Sequence, residues 1–247
     1  MPKVVIGTFL EHLDELRRRL WVAVGAFLAC SLGSFFYSET LLKWAVAPMG
    51  ATPETLYFFS PAEMLIARMK LALLAGFLIA SPVLVAQFWL FVSPAMHRHE
   101  RRAVMPVIIV TSALFLAGSW FAYMKVLPAA LGFFLSQSSS VVRPMLSVSE
   151  YLSFVAMTLV SFGIAFNLPV FILALAATGV VNVRMLNQFQ RQVIVLIFIA
   201  AAILTPGPDI ASQLLMAVPL VALFEVSVLG AAILEWFRQR GKRTVTP

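Results

Sequence analysis

The stretch MLIARMKLALLAGFLIASPVLVAQFWLF, residues 64–91, decides the fold class of this chain. From Leu71 to Phe91 it runs without a single charged side chain. A transmembrane α-helix needs about 20 consecutive apolar residues, whereas a membrane β-strand alternates apolar and polar residues over roughly ten. The unbroken run therefore predicts a membrane-spanning helix.

The composition of the whole chain agrees with this prediction. Hydrophobic residues make up 61% of the 247 residues and charged residues only 12%. A soluble domain carries about 25% charged residues, so this chain has too few to cover a water-exposed surface. The class of soluble globular proteins is thereby excluded, and lipid must cover much of the surface.

Six apolar stretches follow one another and predict an all-α, polytopic domain that occupies residues 1–247. A short amphipathic helix is expected at about 8–19, where Thr8 and Glu11 form a capping-box pattern. From residue 193 only about 12 apolar residues precede the turn TPGPD, roughly 18 Å of helix against a hydrocarbon core of ~30 Å. Spans five and six are therefore expected to be short. The six predicted spans are about 20–37, 64–91, 104–127, 149–178, 193–205 and 210–237.

The distribution of basic residues predicts the orientation in the membrane. Most of the 18 Lys and Arg lie near the termini or in the 97–102 and 182–192 loops. By the positive-inside rule, both termini and these loops face the cytoplasm. The basic charge thus reflects topology and anionic lipid, and no nucleic-acid partner is expected. The few basic residues on the opposite side are Lys43, Arg68, Lys70, Lys125 and Arg143.

Enzymatic chemistry is not expected. The single cysteine, Cys30, has no partner, and all three histidines lie outside the predicted spans. No metal site, cofactor or nucleophile–base pair is therefore predicted, which argues against an intramembrane enzyme. A secondary transporter of small solutes remains an alternative, although the repeat symmetry that many transporters show is not visible.

Three groups of residues stand out from the apolar background. HLDELRRRL, residues 12–20, precedes span one, and QFWLFVSPAMHRHERR, residues 87–102, ends span two. The simpler interpretation of the first stretch is an interfacial helix. That of the second is an aromatic belt followed by a basic loop. Polar residues at membrane depth are costly and indicate function by default, although they can also satisfy a neighbouring helix. The third group consists of the polar residues in or near the predicted spans, which are Lys70, Asn167, Asp209, Gln213 and Glu225.

Seven stretches, taken together, resemble the TatC family. They are similar to the family patterns HLxELRxRL, SPxE…K, QxWxFxxPxLxxxER, FxYFxVxPxxxxFF, YxxF, TPPDxxSQ and PxxxLFE. They occur in the family's order over nearly the whole chain. They are HLDELRRRL (12–20), SPAEMLIARMK (60–70), QFWLFVSPAMHRHERR (87–102), FAYMKVLPAALGFF (121–134), EYLSF (150–154), TPGPDIASQ (205–213) and AVPLVALFE (217–225).

The resemblance implies a receptor for signal peptides with paired arginines, in a translocase that exports folded proteins on the proton gradient. It implies the bacterial cytoplasmic membrane, single-span TatA/TatB-type partners and homo- and hetero-oligomers. Glu15 and Glu100 are expected to bind the two guanidiniums, because arginine pairs with carboxylates through two hydrogen bonds. Arg17, Arg19 and Phe91 are expected to shape that pocket.

The remaining candidate positions are expected to contact partner helices or to have a structural role. One of them departs from the family pattern: FGIAFNLP carries Asn167 where related proteins often carry glutamate. An amide cannot carry the charge of a carboxylate, so any role that needs such a charge is in doubt here. The positions are Pro48, Lys70, Tyr123, Asn167, Asp209, Gln213 and Glu225.

Overall fold

A computed structural model describes residues 2–50, 56–93, 104–136, 145–178, 181–204 and 210–243. Within these ranges it consists of α-helices joined by short turns, with one isolated β-bridge and no longer strand. The predicted all-α class is confirmed. The helices are α1 Pro2–Phe35, α2 Ser38–Val46, α3 Pro61–Val92, α4 Val104–Phe121, α5 Leu127–Ser136, α6 Val148–Ala165, α7 Leu168–Thr178, α8 Val183–Leu204 and α9 Ile210–Arg243.

The number of potential membrane crossings agrees with the six-span prediction. Five segments within the described ranges are long and apolar enough to cross a bilayer: α3, α4 with α5, α6 with α7, α8, and α9. The sixth candidate is α1 taken together with α2, although the two helices meet at 86°. The predicted polytopic architecture is therefore confirmed.

The amphipathic segment at 8–19 and the first span are not separate helices. α1 runs unbroken from Pro2 to Phe35, so the predicted boundary at residue 20 is absent. An amphipathic helix and a spanning helix share the same 3.6-residue period, and no Gly or Pro separates them. The helix ends in the turn before Ser38, where α2 turns away.

Span three does not stop at Pro128. The chain passes from α4 through a π-helical turn, Ala122–Val126, directly into α5. In this turn the Leu127 N–H donates to the carbonyl of Ala122, five residues back. Proline has no N–H and clashes with the carbonyl four residues before it, and the wider turn relieves both problems. The helix therefore continues for nine residues beyond the predicted end, to Ser136.

Span four contains a turn, although α6 and α7 together form one candidate crossing, Val148–Ala176. α6 ends at Ala165, and α7 begins at Leu168 after a turn at Phe166 and Asn167. The Asn167 N–H donates to the carbonyl of Ile164 at 3.0 Å, three residues back. Pro169, at the second position of α7, cannot donate to Ala165 and so favours the break.

α8 and α9 are longer than the spans predicted at 193–205 and 210–237. α8 contains 22 residues and starts at Val183, and α9 contains 34 residues and ends at Arg243. An α-helix satisfies its own backbone, so polar turns can extend an apolar helix beyond the hydrocarbon. The short apolar run of α8, from Val193, is thus half of a longer helix.

Small residues bring the helices into close contact. A Cβ on Gly76 of α3 would clash with Ser31 of α1. A Cβ on Gly118 of α4 would lie 2.5 Å from the carbonyl oxygen of Phe162 in α6. Such small residues are typical of membrane helix interfaces, where close backbone approach maximises van der Waals contact. The two crossings position the ends of α1, α3, α4 and α6.

Candidate functional site

The first candidate site lies where the amphipathic half of α1 meets the end of α3. Arg19 Nε donates to Glu15 Oε1 at 3.1 Å, and a terminal guanidinium nitrogen contacts the same oxygen. This is the i,i+4 spacing at which helical ion pairs form. The side chains of Arg19 and Glu15 are 22% and 31% exposed, so both remain accessible.

An aromatic contact connects this part of α1 to α3. The rings of His12 and Phe91 stack with centroids 4.5 Å apart and planes 21° from parallel. Since residues three and four apart share one helix face, His12 lies on the same side of α1 as Glu15 and Arg19. The structure thus brings three predicted site residues, Glu15, Arg19 and Phe91, to one place.

Of the other two predicted residues of this site, Arg17 can be located in the structure and Glu100 cannot. Arg17 is exposed and lies two residues from both Glu15 and Arg19, which is about 200° of rotation round the helix. Its side chain therefore leaves α1 on the opposite side, and its role stays a prediction. Glu100 lies outside the described residues, so its pairing with Glu15 also stays a prediction.

The Glu15 carboxylate has room for a second donor besides Arg19. Both recorded contacts of Arg19 use Oε1 of Glu15, and Oε2 has no recorded partner among the described residues. A carboxylate has acceptor sites on both oxygens and can accept from more than one guanidinium. A second arginine can therefore approach Glu15 while Arg19 holds it in place.

Lys70 belongs to a different cluster, which lies near the starts of α3 and α6 and thus at the other end of the molecule from Glu15. We call this end of the molecule, where α1 ends and α3 begins, the outer end, following the predicted topology. Lys70 Nζ donates to Ser149 Oγ at 2.7 Å and to Ser153 Oγ at 2.8 Å. Lys70 therefore cross-links α3 to α6, which is a structural role.

Glu63 is a member of the outer cluster that the sequence analysis did not select. Its carboxylate accepts from the Phe59 N–H at 2.7 Å, from the Ser149 N–H at 3.3 Å and from the Ser147 hydroxyl. A sequence pattern could have identified Glu63, because Ser60 and Glu63 have the spacing of a capping box before the apolar run. Glu63 thus ties the start of α3 to the start of α6.

Tyr123 and Pro48 also lie at the outer end, where Tyr123 binds the end of α2 and Pro48 follows it. Tyr123 donates its hydroxyl to the Trp44 carbonyl at 2.8 Å, and Tyr151 donates to the Ala45 carbonyl at 2.6 Å. Both acceptors lie in the last turn of α2, where helix carbonyls lack intrahelical partners. Pro48 lies in the 3-10 turn Ala47–Met49 that follows directly.

Asn167 is the most buried of the polar residues predicted to contact a partner helix. It is 5% exposed, and its Nδ2 donates to the Gly163 carbonyl at 3.1 Å. Its Oδ1 is buried and has no hydrogen-bond partner among the described residues. An unpaired buried acceptor is costly, so this oxygen is a candidate point of contact for a donor.

Two of the other polar positions, Gln213 and Glu225, have partners of their own within the chain. Gln213 Nε2 donates to the Phe198 carbonyl at 2.9 Å, and Gln190 Nε2 donates to Glu225 Oε1 at 2.6 Å. Both contacts join α9 to α8. Asp209 lies outside the described residues. No recorded contact joins Asn167 to Gln213 or Glu225, so these residues do not form a single hydrogen-bonded site within the described part.

Comparison with known proteins identifies the family. Residues 11–219 match the family model of the Sec-independent protein translocase protein TatC. The TatC protein of Aquifex aeolicus is 40% identical over 88% of this chain and 92% of its own length. The TatC protein of Carboxydothermus hydrogenoformans is 34% identical over 96% of this chain and 97% of its own length.

The fold agrees with the same assignment. A crystal structure of the twin-arginine translocase receptor TatC superimposes with a TM-score of 0.82 at 40% identity. The superposition covers 90% of this chain and 98% of the chain in that crystal structure. A second crystal structure of that receptor, in the detergent DDM, gives a TM-score of 0.81. The motifs, the helix order and these similarities lead to one conclusion: this chain belongs to the TatC family.

Proposed function

We propose that this chain is the signal-receptor subunit of a twin-arginine translocase in a bacterial cytoplasmic membrane. It exports folded proteins and draws on the transmembrane proton gradient. The observation that carries this proposal is the accessible Glu15 carboxylate, held by Arg19 next to the His12–Phe91 stack. The relatives described above are named as translocase subunits, which leaves the small-solute alternative without support.

Recognition rests on the match between a guanidinium and a carboxylate. One arginine of the signal donates to the open side of Glu15, and Glu100 is the proposed acceptor for the second. Arginine presents a planar fork that suits a carboxylate, whereas lysine presents a single point charge. Arg19 fixes the carboxylate before the signal arrives, and Phe91 supplies an apolar surface. A twin-lysine signal is therefore expected to bind more weakly.

The proposed partners are single-span subunits of the TatA/TatB type, in homo- and hetero-oligomers. Asn167 Oδ1 is the acceptor proposed for a donor from the partner helix: it is buried and lacks a hydrogen-bond partner within the described residues, so the side chains that cover it must move aside when the helix docks. Asn167 Nδ2 is already used by the Gly163 carbonyl. The partner residue must therefore donate a hydrogen bond rather than accept one.

The test of the proposed function is a crosslinking experiment in membranes. A signal peptide with paired arginines and a photoreactive group is added to vesicles that contain the protein. A peptide in which both arginines are replaced by lysines is the matched control. We expect crosslinks for the twin-arginine peptide that an excess of unlabelled peptide removes. Equal crosslinking of both peptides would show that the site does not read arginine.

A further inference from the structure

Between α1 and α3, on the outer side of their crossing, lies an open groove with a volume of about 340 Å³. Leu28 and Leu32 of α1 form one wall, and Leu65, Met69 and Leu73 of α3 form the other. The volume is at the lower end of the range for small-molecule sites. A groove of this size and apolar lining suits one hydrocarbon chain.

The length of α3 places this groove at the boundary between headgroups and hydrocarbon. α3 has 32 residues, which is ~48 Å at ~1.5 Å per residue, against a hydrocarbon core of ~30 Å. A centred helix therefore extends ~9 Å beyond the core at each end. Leu65 lies outside this boundary and Leu73 lies inside it. An occupant of the groove would thus have one end at headgroup level.

Arg68 stands at the edge of the groove and at this same depth. It is exposed and lies on one helix face between Leu65 and Ala72, three residues after the first and four before the second. Within the described residues no ion pair or hydrogen bond is recorded for its guanidinium. A guanidinium without a counter-charge beside an apolar groove is complementary to a phosphate attached to an acyl chain.

Two neighbouring basic residues at the outer end differ from Arg68. Lys70 is held by two serine hydroxyls, and Lys43 lies 3.8 Å from Glu39. The ammonium protons of Lys70 are therefore already donated within the protein, and Lys43 has a carboxylate nearby. The nearby Glu63 is likewise engaged by backbone and hydroxyl donors. Arg68 is therefore the residue of this group whose charge is available to a ligand.

We propose that Arg68 and the α1–α3 groove bind one anionic phospholipid of the outer leaflet. The phosphate pairs with the guanidinium of Arg68, and one acyl chain lies along Leu65, Met69 and Leu73. The bound lipid covers the outer half of the α1–α3 contact. This inference does not depend on the proposed signal-binding site, which lies at the other end of the same two helices.

Native mass spectrometry of the purified protein in detergent tests this proposal. The probes are phosphatidylglycerol, which is anionic, and phosphatidylcholine, which has the same phosphate but no net charge. We expect the wild type to bind phosphatidylglycerol more tightly. Arg68→Gln should lower this affinity about fivefold, the factor for one basic residue near an anionic surface. Lys125→Gln removes an exposed charge at the same end of the molecule and should have no effect.

A second variant tests the groove independently of the charge. Met69→Trp places a large ring among the lining residues, at a position that is 51% exposed and so tolerates it. It should lower the affinity for both lipids without lowering the unfolding temperature. Equal affinity of the wild type for the two lipids would overturn the proposal. So would equal losses in Arg68→Gln and Lys125→Gln, or unchanged binding in Met69→Trp.

Discussion

Replacing Gly118 by alanine is expected to destabilise the crossing of α4 and α6. The new Cβ would lie 2.5 Å from the Phe162 carbonyl oxygen and 2.7 Å from the Phe166 ring. The first of these is backbone and cannot rotate away. Overpacking of this kind costs about 1–3 kcal/mol. A clash with backbone falls in the upper part of this range, about 2–3 kcal/mol. Alanine regains about 0.5–1 kcal/mol through its better helix propensity, so the net loss is about 1–2.5 kcal/mol.

Thermal unfolding in detergent measures this effect. For a chain of this length, 1 kcal/mol shifts the midpoint by about 2–4 °C, so Gly118→Ala should unfold about 2–10 °C below the wild type. Gly33→Ala is the matched control, because nothing lies within 4 Å of the position of its Cβ. It should unfold at or slightly above the wild-type midpoint. If Gly118→Ala is as stable as Gly33→Ala, the close crossing is not as described.

Three further predictions concern binding and topology. Glu15→Gln should weaken binding of the twin-arginine signal about 30-fold or more, since losing one partner of a charge pair that the bound signal desolvates costs about 2–5 kcal/mol. Asp14→Asn, measured by the same crosslinking titration, should not weaken it. A cysteine at the exposed Glu39 should react with an impermeant thiol reagent added outside intact cells, while one at Arg243 should not. The reverse labelling would show that the orientation in the membrane is opposite to the predicted one. Asn167→Leu should reduce co-purification of the single-span partners about 3- to 30-fold, the equivalent of a membrane hydrogen bond of about 0.6–2 kcal/mol. Undiminished co-purification would mean that Asn167 serves packing alone.

The spans were predictable because hydropathy acts over long windows. Each apolar run must lie in lipid, and a helix is the structure that satisfies its backbone there, so element type and order followed from composition. The continuity of α1 was not predictable in the same way. The Arg19 and Leu20 junction separates two environments, water and lipid, but the backbone is helical in both.

The irregular features were harder because they depend on neighbouring helices. Pro128 alone indicates a helix end, and only the π-helical turn before it shows that the helix goes on. Of the proposed signal site, Glu15, Arg19 and Phe91 could be selected from the motifs. The His12–Phe91 stack joins residues 79 positions apart on two different helices. The periodicity of a single helix cannot predict such a contact. Glu63 was missed although its capping-box spacing was visible.

The π-helical turn in span three has a consequence for aligning this chain with its relatives. A π turn accommodates one residue more than an α-helical turn over the same rise. A relative without it needs one residue fewer between α4 and α5 to present the same faces to α6. A single-residue gap near Ala122–Val126 in such an alignment therefore marks a change of helix type. The flanking positions remain structurally equivalent.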